Sequence, residues 1–144
     1  MKKLLFPLFA LICILMASSC ASDSCSIAGK WKVKSADIQS EKLTPTILQM
    51  AKDELLNTQY EFTEDGQISI NTGGAGMNMT GTYTFDAAAQ TLTWDTKTTT
   101  GADSHLANTV TACSHSEITL TQRQPEDPAK EAVAITTFTL ERIQ

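Results

Sequence analysis

Short runs in which apolar and polar residues alternate dominate the chain after residue 58, and this pattern constrains the fold more than any other feature. Tyr60 and Phe62 alternate with polar residues, an Asp-Gly pair follows, and Ile68 and Ile70 continue the alternation. A period of two is typical of a strand with one buried face, and Asp-Gly between two such runs indicates a hairpin. This part of the chain is therefore predicted to be antiparallel sheet.

Eight strands are predicted in total, one before a helix and seven after it. They lie around Trp31, at 60–63, 68–70, 82–85, 91–94, 108–112 and 118–122, and at 133–142. Eight short antiparallel strands with one apolar side favour a mainly β fold, an eight-stranded antiparallel up-and-down barrel, because closure removes exposed strand edges. A sandwich of two sheets is the competing architecture.

One short helix is predicted directly after the first strand. Thr44 is suited to the N-cap and Pro45 to the first helical position, because Pro lacks an N–H group that would be unpaired there in any case. Apolar residues four positions apart, Ile47, Ala51 and Leu55, fall on one face. The helix is predicted to run from Pro45 to about Leu56.

The pattern also predicts where the strands are interrupted. Near Thr136-Thr137 the apolar residues of the last strand change from odd to even positions, which predicts a β-bulge. The stretches from Asp95 to Asp103 and from Gln124 to Lys130 are rich in polar and turn residues. Both are predicted to be solvated connections.

The first twenty residues resemble the signal of a bacterial lipoprotein. Lys2 and Lys3 precede an apolar run at 4–16, and the small residues 17–19 lead to Cys20. The apolar run is too short for a membrane-spanning helix, which needs about 20 residues. The resemblance implies that Cys20 receives lipid and becomes the mature N-terminus. An ordinary secretory peptide cut nearby and an uncleaved anchor are the alternatives, and all three export the chain.

The resemblance implies three regions: a signal at 1–19, a lipidated cysteine and tether at 20–26, and a barrel domain at 27–144.

Without the signal the chain has nine basic and sixteen acidic residues, a formal charge of −7. Nucleic acid is therefore excluded as a partner, since its binding relies on clustered Lys and Arg. The expected partner is a membrane, reached through the lipid anchor. The expected location is the outer membrane, facing the periplasm or the cell surface.

Four cysteines are present, and two of them remain available for pairing. Cys13 leaves with the signal, and the lipid occupies the sulfur of Cys20. Cys25 and Cys113 then form an even pair in an oxidising compartment, which makes them a candidate disulfide. The alternative is a free Cys25 in the tether and a Cys113 that is a small apolar strand residue.

The order of motifs resembles the small bacterial lipocalin-like domains, many of which occur as lipoproteins. The chain begins its first strand with Gly29-Lys30-Trp31 and continues with a helix and a meander of hairpins; the resemblance covers Ile27 to Ile143. It implies that Trp31 plugs one end of the barrel and that a late arginine packs across it. Arg142 is the first candidate for that role and Arg123 the second. The helix after the first strand departs from the larger lipocalins.

The sequence contains no pattern for catalysis or metal binding. Its two histidines, His105 and His115, do not lie in a metal-ligand spacing. Ser114 beside His115 lacks an orienting third group and an oxyanion hole in the sequence pattern. The protein is therefore predicted to be neither an enzyme nor a binder of a metal or cofactor.

Two functions remain open. The first is a binding module that holds a small hydrophobic or amphipathic molecule in the barrel. The second is a non-catalytic envelope interaction or scaffold module with a side-chain-filled barrel and a protein or glycan partner. An eight-stranded barrel permits both. The candidate ligand-lining residues are Tyr60, Phe62, Met77, Met79, Tyr83, Phe85, Leu92 and Trp94.

Overall fold

The computed structural model of the protein describes residues 25–73, 77–127 and 132–144. The predicted signal, Cys20 and the greater part of the predicted tether lie outside the described residues. The described residues form eight strands and one helix. The elements are β1 Gly29–Gln39, α1 Pro45–Leu56, β2 Gln59–Phe62, β3 Gln67–Asn71, β4 Asn78–Asp86, β5 Thr91–Thr98, β6 Asp103–Cys113, β7 Glu117–Asp127 and β8 Ala132–Arg142.

The strands form a closed up-and-down barrel, which confirms the predicted fold and excludes the sandwich. Each strand pairs antiparallel with the next along the chain, and β8 pairs with β1 to close the sheet. In this closing pair Trp31 lies opposite Arg142, and Val33 lies opposite Leu140. Closure satisfies the backbone hydrogen bonds that an open sheet would leave at its edges.

The two ends of the barrel differ. At the end that we call the closed end, β1 begins and β8 ends, and a disulfide joins Cys25 to Cys113. At the opposite end, which we call the open end, α1 connects β1 to β2. The difference arises because β2 has only four residues, so that it pairs with 29–32 of β1 and leaves 33–39 to pair with β8 alone.

Apolar side chains fill the barrel from the closed end up to the cavity at the open end. The buried core residues are Ile27, Trp31, Val33, Tyr60, Phe62, Ile68, Ile70, Leu92, Trp94, Val110, Ile118, Leu120, Phe138 and Leu140. Aromatic rings pack together inside the barrel, and the Phe62 ring lies edge-on against Tyr83 with 5.0 Å between centroids. Such pairs add about 0.5–1.5 kcal/mol to what area burial contributes. The closed half is therefore a packed core.

The helix α1 matches its prediction. It runs from Pro45 to Leu56, and the Thr44 side chain accepts a hydrogen bond from the Ile47 N–H at 3.5 Å. None of its residues is fully buried, and its packing partner is β1, to which the Lys52–Asp37 ion pair of 3.0 Å also links it. Among the described residues, no helix is long enough and apolar enough to cross a membrane.

The predicted bulge in β8 is wrong, because the irregularity lies in the partner strand. The pairing of β8 runs without a shift through Thr136 and Thr137, whereas β1 shifts register between Val33 and Ser35. In β8 the even-numbered residues Thr136, Phe138 and Leu140 face inward, and Val133 is exposed on the outer face. The odd-numbered apolar residues of β8 are therefore outward-facing residues and do not mark a bulge.

The two predicted solvated connections are shorter than expected. β5 continues to Thr98 and β6 already begins at Asp103, since Lys97 pairs with Asp103 across the two strands. β7 likewise continues to Asp127, with Pro125 opposite Val133. Polar composition indicated loops here because the outer face of a barrel strand is also polar.

Candidate functional site

A cavity of about 270 Å³ opens at the open end of the barrel, and we call it the cup. Every strand contributes to its wall, and α1 forms one side. The apolar part of the wall is formed mainly by Ile38, Leu55, Ile70, Met79, Leu106 and Phe138. The cup exists because β2 is short and does not pair with the second half of β1. The helix α1 packs there instead of a strand, and a space remains between α1 and the sheet.

Tyr60 and Trp94 line the cup at the level where the packed core begins. Their ring centroids are 5.9 Å apart, and the Tyr60 ring also stacks on Phe138 at 6.1 Å. Burial raises the pKa of the Tyr60 phenol well above its ordinary value. Tyr60 is therefore neutral wherever the fold is stable, and it adds no charge to the cup.

One residue that lines the cup carries a carboxylate, and another has a buried N–H group without a partner in the described part of the chain. Among its lining residues Glu54, on the exposed side of α1, is the only acidic or basic one besides the Tyr60 phenol. The Trp94 indole Nε1 is buried and has no hydrogen-bond partner among the described residues. A buried N–H group without an acceptor costs about 1–3 kcal/mol. A bound molecule with an oxygen atom in reach of Nε1 would remove this cost.

Exposed apolar side chains surround the open end. The large hydrophobic residues that the structure leaves exposed are Leu43, Ile47, Met50, Leu56, Met77 and Val133, and we call this set the apolar rim. All six lie on α1, beside it, or at strand ends of the open end. Met50 is the most exposed, at 66%. Large exposed apolar side chains that collect around one opening are typical of a binding site.

The eight sequence-predicted lining residues do not all meet at the cup. Tyr60, Met79 and Trp94 line it. Met77 lies at the apolar rim and is 49% exposed. The remaining four pack in or against the core of the closed half: Phe62, Tyr83, Phe85 and Leu92. The lining residues that the sequence reasoning did not single out include Ile38, Leu106, Gln122 and Thr136, together with Ala51, Glu54 and Leu55 of α1.

At the closed end, Arg142 holds the first described residues onto the barrel. Its guanidinium carbon lies 4.2 Å from the centroid of the Trp31 ring. Nη1 and Nη2 donate to the carbonyls of Ala28 and Ser26, both at 2.9 Å, and Nε donates to the His115 carbonyl at 2.6 Å. Arg142, and not Arg123, is therefore the arginine that packs across Trp31.

The disulfide is confirmed, and it strengthens the same end. Cys25 and Cys113 are bonded with an S–S distance of 2.00 Å, and the Trp31 indole donates to the Ile27 carbonyl at 2.9 Å. Residues 25–28, which we call the latch, are thus held by a covalent bond, by Arg142 and by Trp31. Cys25 and Ser26 belong to the folded domain, so the tether ends before residue 25 and not at residue 26 as the sequence predicts.

Outside the cup, a histidine and neighbouring charged side chains of β5 and β6 lie on the outer face of the barrel. His105 Nδ1 is 2.6 Å from an Asp95 carboxylate oxygen, and Lys97 pairs with Asp103 at 3.2 Å. All four side chains are mostly exposed. In the described part of the chain, no three His, Cys, Asp or Glu side chains are placed to hold a metal ion.

Comparison with known proteins adds no assignment. No protein-family model matches the chain, and no curated protein is significantly similar to it.

Proposed function

We propose that this protein is an envelope lipoprotein that holds one small hydrophobic or amphipathic molecule in the cup. The cup itself carries the proposal, because an apolar cavity that opens at one end of a barrel is the usual form of a small-molecule site. The apolar rim around the opening supports the same conclusion. The signal pattern before Cys20 supports a lipid anchor in the outer membrane, with the domain in the periplasm or at the cell surface.

The wall of the cup suggests the chemistry of the ligand. A volume of about 270 Å³ lies just below the usual range of drug-sized sites, about 300–1,000 Å³. It suits a small molecule or a single hydrocarbon chain. The unpaired Trp94 N–H favours a ligand with an acceptor oxygen. The Glu54 carboxylate at the mouth of the cup disfavours an anionic head group by charge repulsion. A neutral or cationic amphipathic molecule fits these features best.

A partner-binding scaffold remains the second candidate, and the apolar rim favours it. The closed half of the barrel is filled by side chains, as that function requires. A protein partner would cover the apolar rim and would not need the cup. The two functions therefore differ in one respect: only the binding module depends on the empty volume between α1 and the strands.

Filling the cup tests the binding function. Ala51 lines the cup from α1, so Ala51→Phe places a ring in the cavity and is expected to weaken ligand binding by about tenfold or more. Met50 is the adjacent residue and belongs to the apolar rim, not to the wall of the cup. Because the cup holds the dye in this proposal, and Phe keeps the rim apolar, Met50→Phe is expected to change the affinity by less than about twofold. The measurement is a fluorescence titration of the purified protein and both variants with the neutral dye N-phenylnaphthylamine.

The two variants also separate the two candidate functions. No dye binding to the wild type, or equal weakening by both substitutions, would contradict a ligand in the cup. A loss with Met50→Phe alone would indicate that the dye binds to the apolar rim, the surface that a protein partner would cover, and would likewise contradict a ligand in the cup.

The anchor is tested by labelling. We expect cells that express the wild type to incorporate labelled palmitate into the protein, and Cys20→Ala to abolish the incorporation. Cys13→Ala is the matched control, because Cys13 lies in the predicted signal and its loss leaves labelling intact. An unlabelled wild type would refute the lipid anchor.

A further inference from the structure

The latch fixes where the chain enters the barrel. Cys25 is bonded to Cys113 at the end of β6, and Arg142 at the end of β8 binds the carbonyls of Ser26 and Ala28. Both strand ends belong to the closed end. Any chain that precedes Cys25 therefore leaves the domain at the closed end, opposite the cup.

The barrel is longer than the reach of the residues between Cys20 and Cys25, so the position of Cys25 determines which end of the barrel can lie near the membrane. The eleven residues of β6 extend about 36 Å at 3.3 Å per residue, which corresponds to about 28 Å along the barrel axis at a tilt of about 40°. Five residue steps separate Cys20 from Cys25, and they span at most about 18 Å. A barrel that stood with its cup on the membrane would hold Cys25 farther from the bilayer than these residues reach.

We propose that the closed end of the barrel faces the anchoring membrane and that the cup opens away from it, so that the ligand enters from the aqueous compartment. This inference rests on the proposed lipid anchor at Cys20. It also explains why the apolar rim can remain exposed: the rim does not lie against the bilayer that anchors the protein.

The orientation is consistent with the surface of the closed end. None of the large hydrophobic residues that the structure leaves exposed lies there, so the described part of this end has no apolar patch to insert into lipid. The adjacent lysines of β1 are paired, Lys30 with Glu61 at 3.4 Å and Lys32 with Glu141 at 2.8 Å. Lys34 likewise pairs with Glu117. Since each of these lysines is paired with a carboxylate, they do not draw the closed end onto an anionic bilayer, and the orientation is assigned to the tether.

Energy transfer to the membrane surface tests the orientation. A donor dye is attached to Ala88→Cys, in the exposed turn between β4 and β5 at the closed end, or to Thr99→Cys, in the exposed turn between β5 and β6 at the open end. The lipidated protein is reconstituted in vesicles of phosphatidylethanolamine and phosphatidylglycerol that carry a head-group acceptor dye. The transfer efficiency is expected to be at least about twice as high from position 88 as from position 99.

A longer tether provides the matched control. Inserting twenty Gly and Ser residues after Ala21 leaves the described residues unchanged and raises the mean reach to about 28 Å, which is comparable with the barrel length. The difference between the two positions is then expected to fall by more than about half. A difference that persists unchanged would show that the tether does not set the orientation and would overturn the inference.

Flotation of the vesicles separates the possible failures. Labelled protein that does not float with the vesicles refutes the lipid anchor, and the orientation with it. Protein that floats but gives equal or reversed efficiencies refutes the orientation and leaves the anchor intact.

Discussion

Replacing Cys25 and Cys113 together by serine is expected to lower the free energy of unfolding by about 4 kcal/mol. The two residues are 88 positions apart, so their bond removes a large loop entropy from the unfolded chain. The bond also holds the latch against the closed end. Urea denaturation of the wild type and the double variant, followed by tryptophan fluorescence, measures the difference.

Reduction provides the control for this prediction. Dithiothreitol is expected to lower the stability of the wild type to that of the double variant and to leave the double variant unchanged. An effect of reductant on the double variant would mean that another thiol is involved. Equal stability of the oxidised wild type and the double variant would show that the disulfide contributes nothing to the stability of the barrel.

The barrel and α1 were predictable because their signals are local. A strand with one buried face repeats every two residues, and a helix start needs only Thr44 and Pro45 in sequence. The register of the strands is not local. The change of apolar residues from odd positions, Trp31 and Val33, to even positions, Ala36 and Ile38, marks the bulge near Lys34 in β1. The same kind of change in β8 is not a bulge, and only the pairing of β1 with β8 distinguishes the two cases.

The candidate site was harder to predict, because alternation identifies the face of a strand but not the height along the barrel. Tyr60 and Phe62 point inward from the same strand, yet only Tyr60 reaches the cup. Phe62 lies two residues closer to the closed end and belongs to the core. Height depends on strand direction and on the stagger between strands, which are properties of the closed sheet.

The contribution of α1 to the cup could be predicted only in part. The apolar face that the sequence assigned to Ile47, Ala51 and Leu55 does turn Ala51 and Leu55 toward the cavity. Ile47 on the same face is 48% exposed and belongs to the apolar rim. An exposed apolar residue and a buried one have the same periodicity, so the pattern alone cannot tell a core from a binding surface.

The packing of the closed end came from the resemblance and not from any pattern in the residues. Arg123 and Arg142 both lie on late strands, and composition does not distinguish them. The pairing does, since Arg123 lies opposite Ile135, seven residues up β8 from the closed end, whereas Arg142 lies opposite Trp31. Only Arg142 can reach both the indole and the latch.

Arg142→Ala is therefore expected to lower the free energy of unfolding by about 3 kcal/mol. The cation–π contact with Trp31 accounts for about 0.5–2 kcal/mol of this loss. The carbonyls of Ser26, Ala28 and His115 lose a charged donor, which adds about 1–3 kcal/mol. Arg142→Lys is expected to recover less than half, because an ammonium group cannot reproduce the forked geometry of the guanidinium.

Arg123→Ala is the matched control, since Arg123 is exposed on β7 and its loss is expected to cost less than about 0.5 kcal/mol. Urea denaturation with the disulfide intact measures all three variants. If Arg142→Ala were as stable as Arg123→Ala, the disulfide alone would hold the latch, and Arg142 would be dispensable for closing the barrel. A large loss in Arg142→Ala that persists after reduction would instead show that the arginine and the disulfide stabilise the closed end independently.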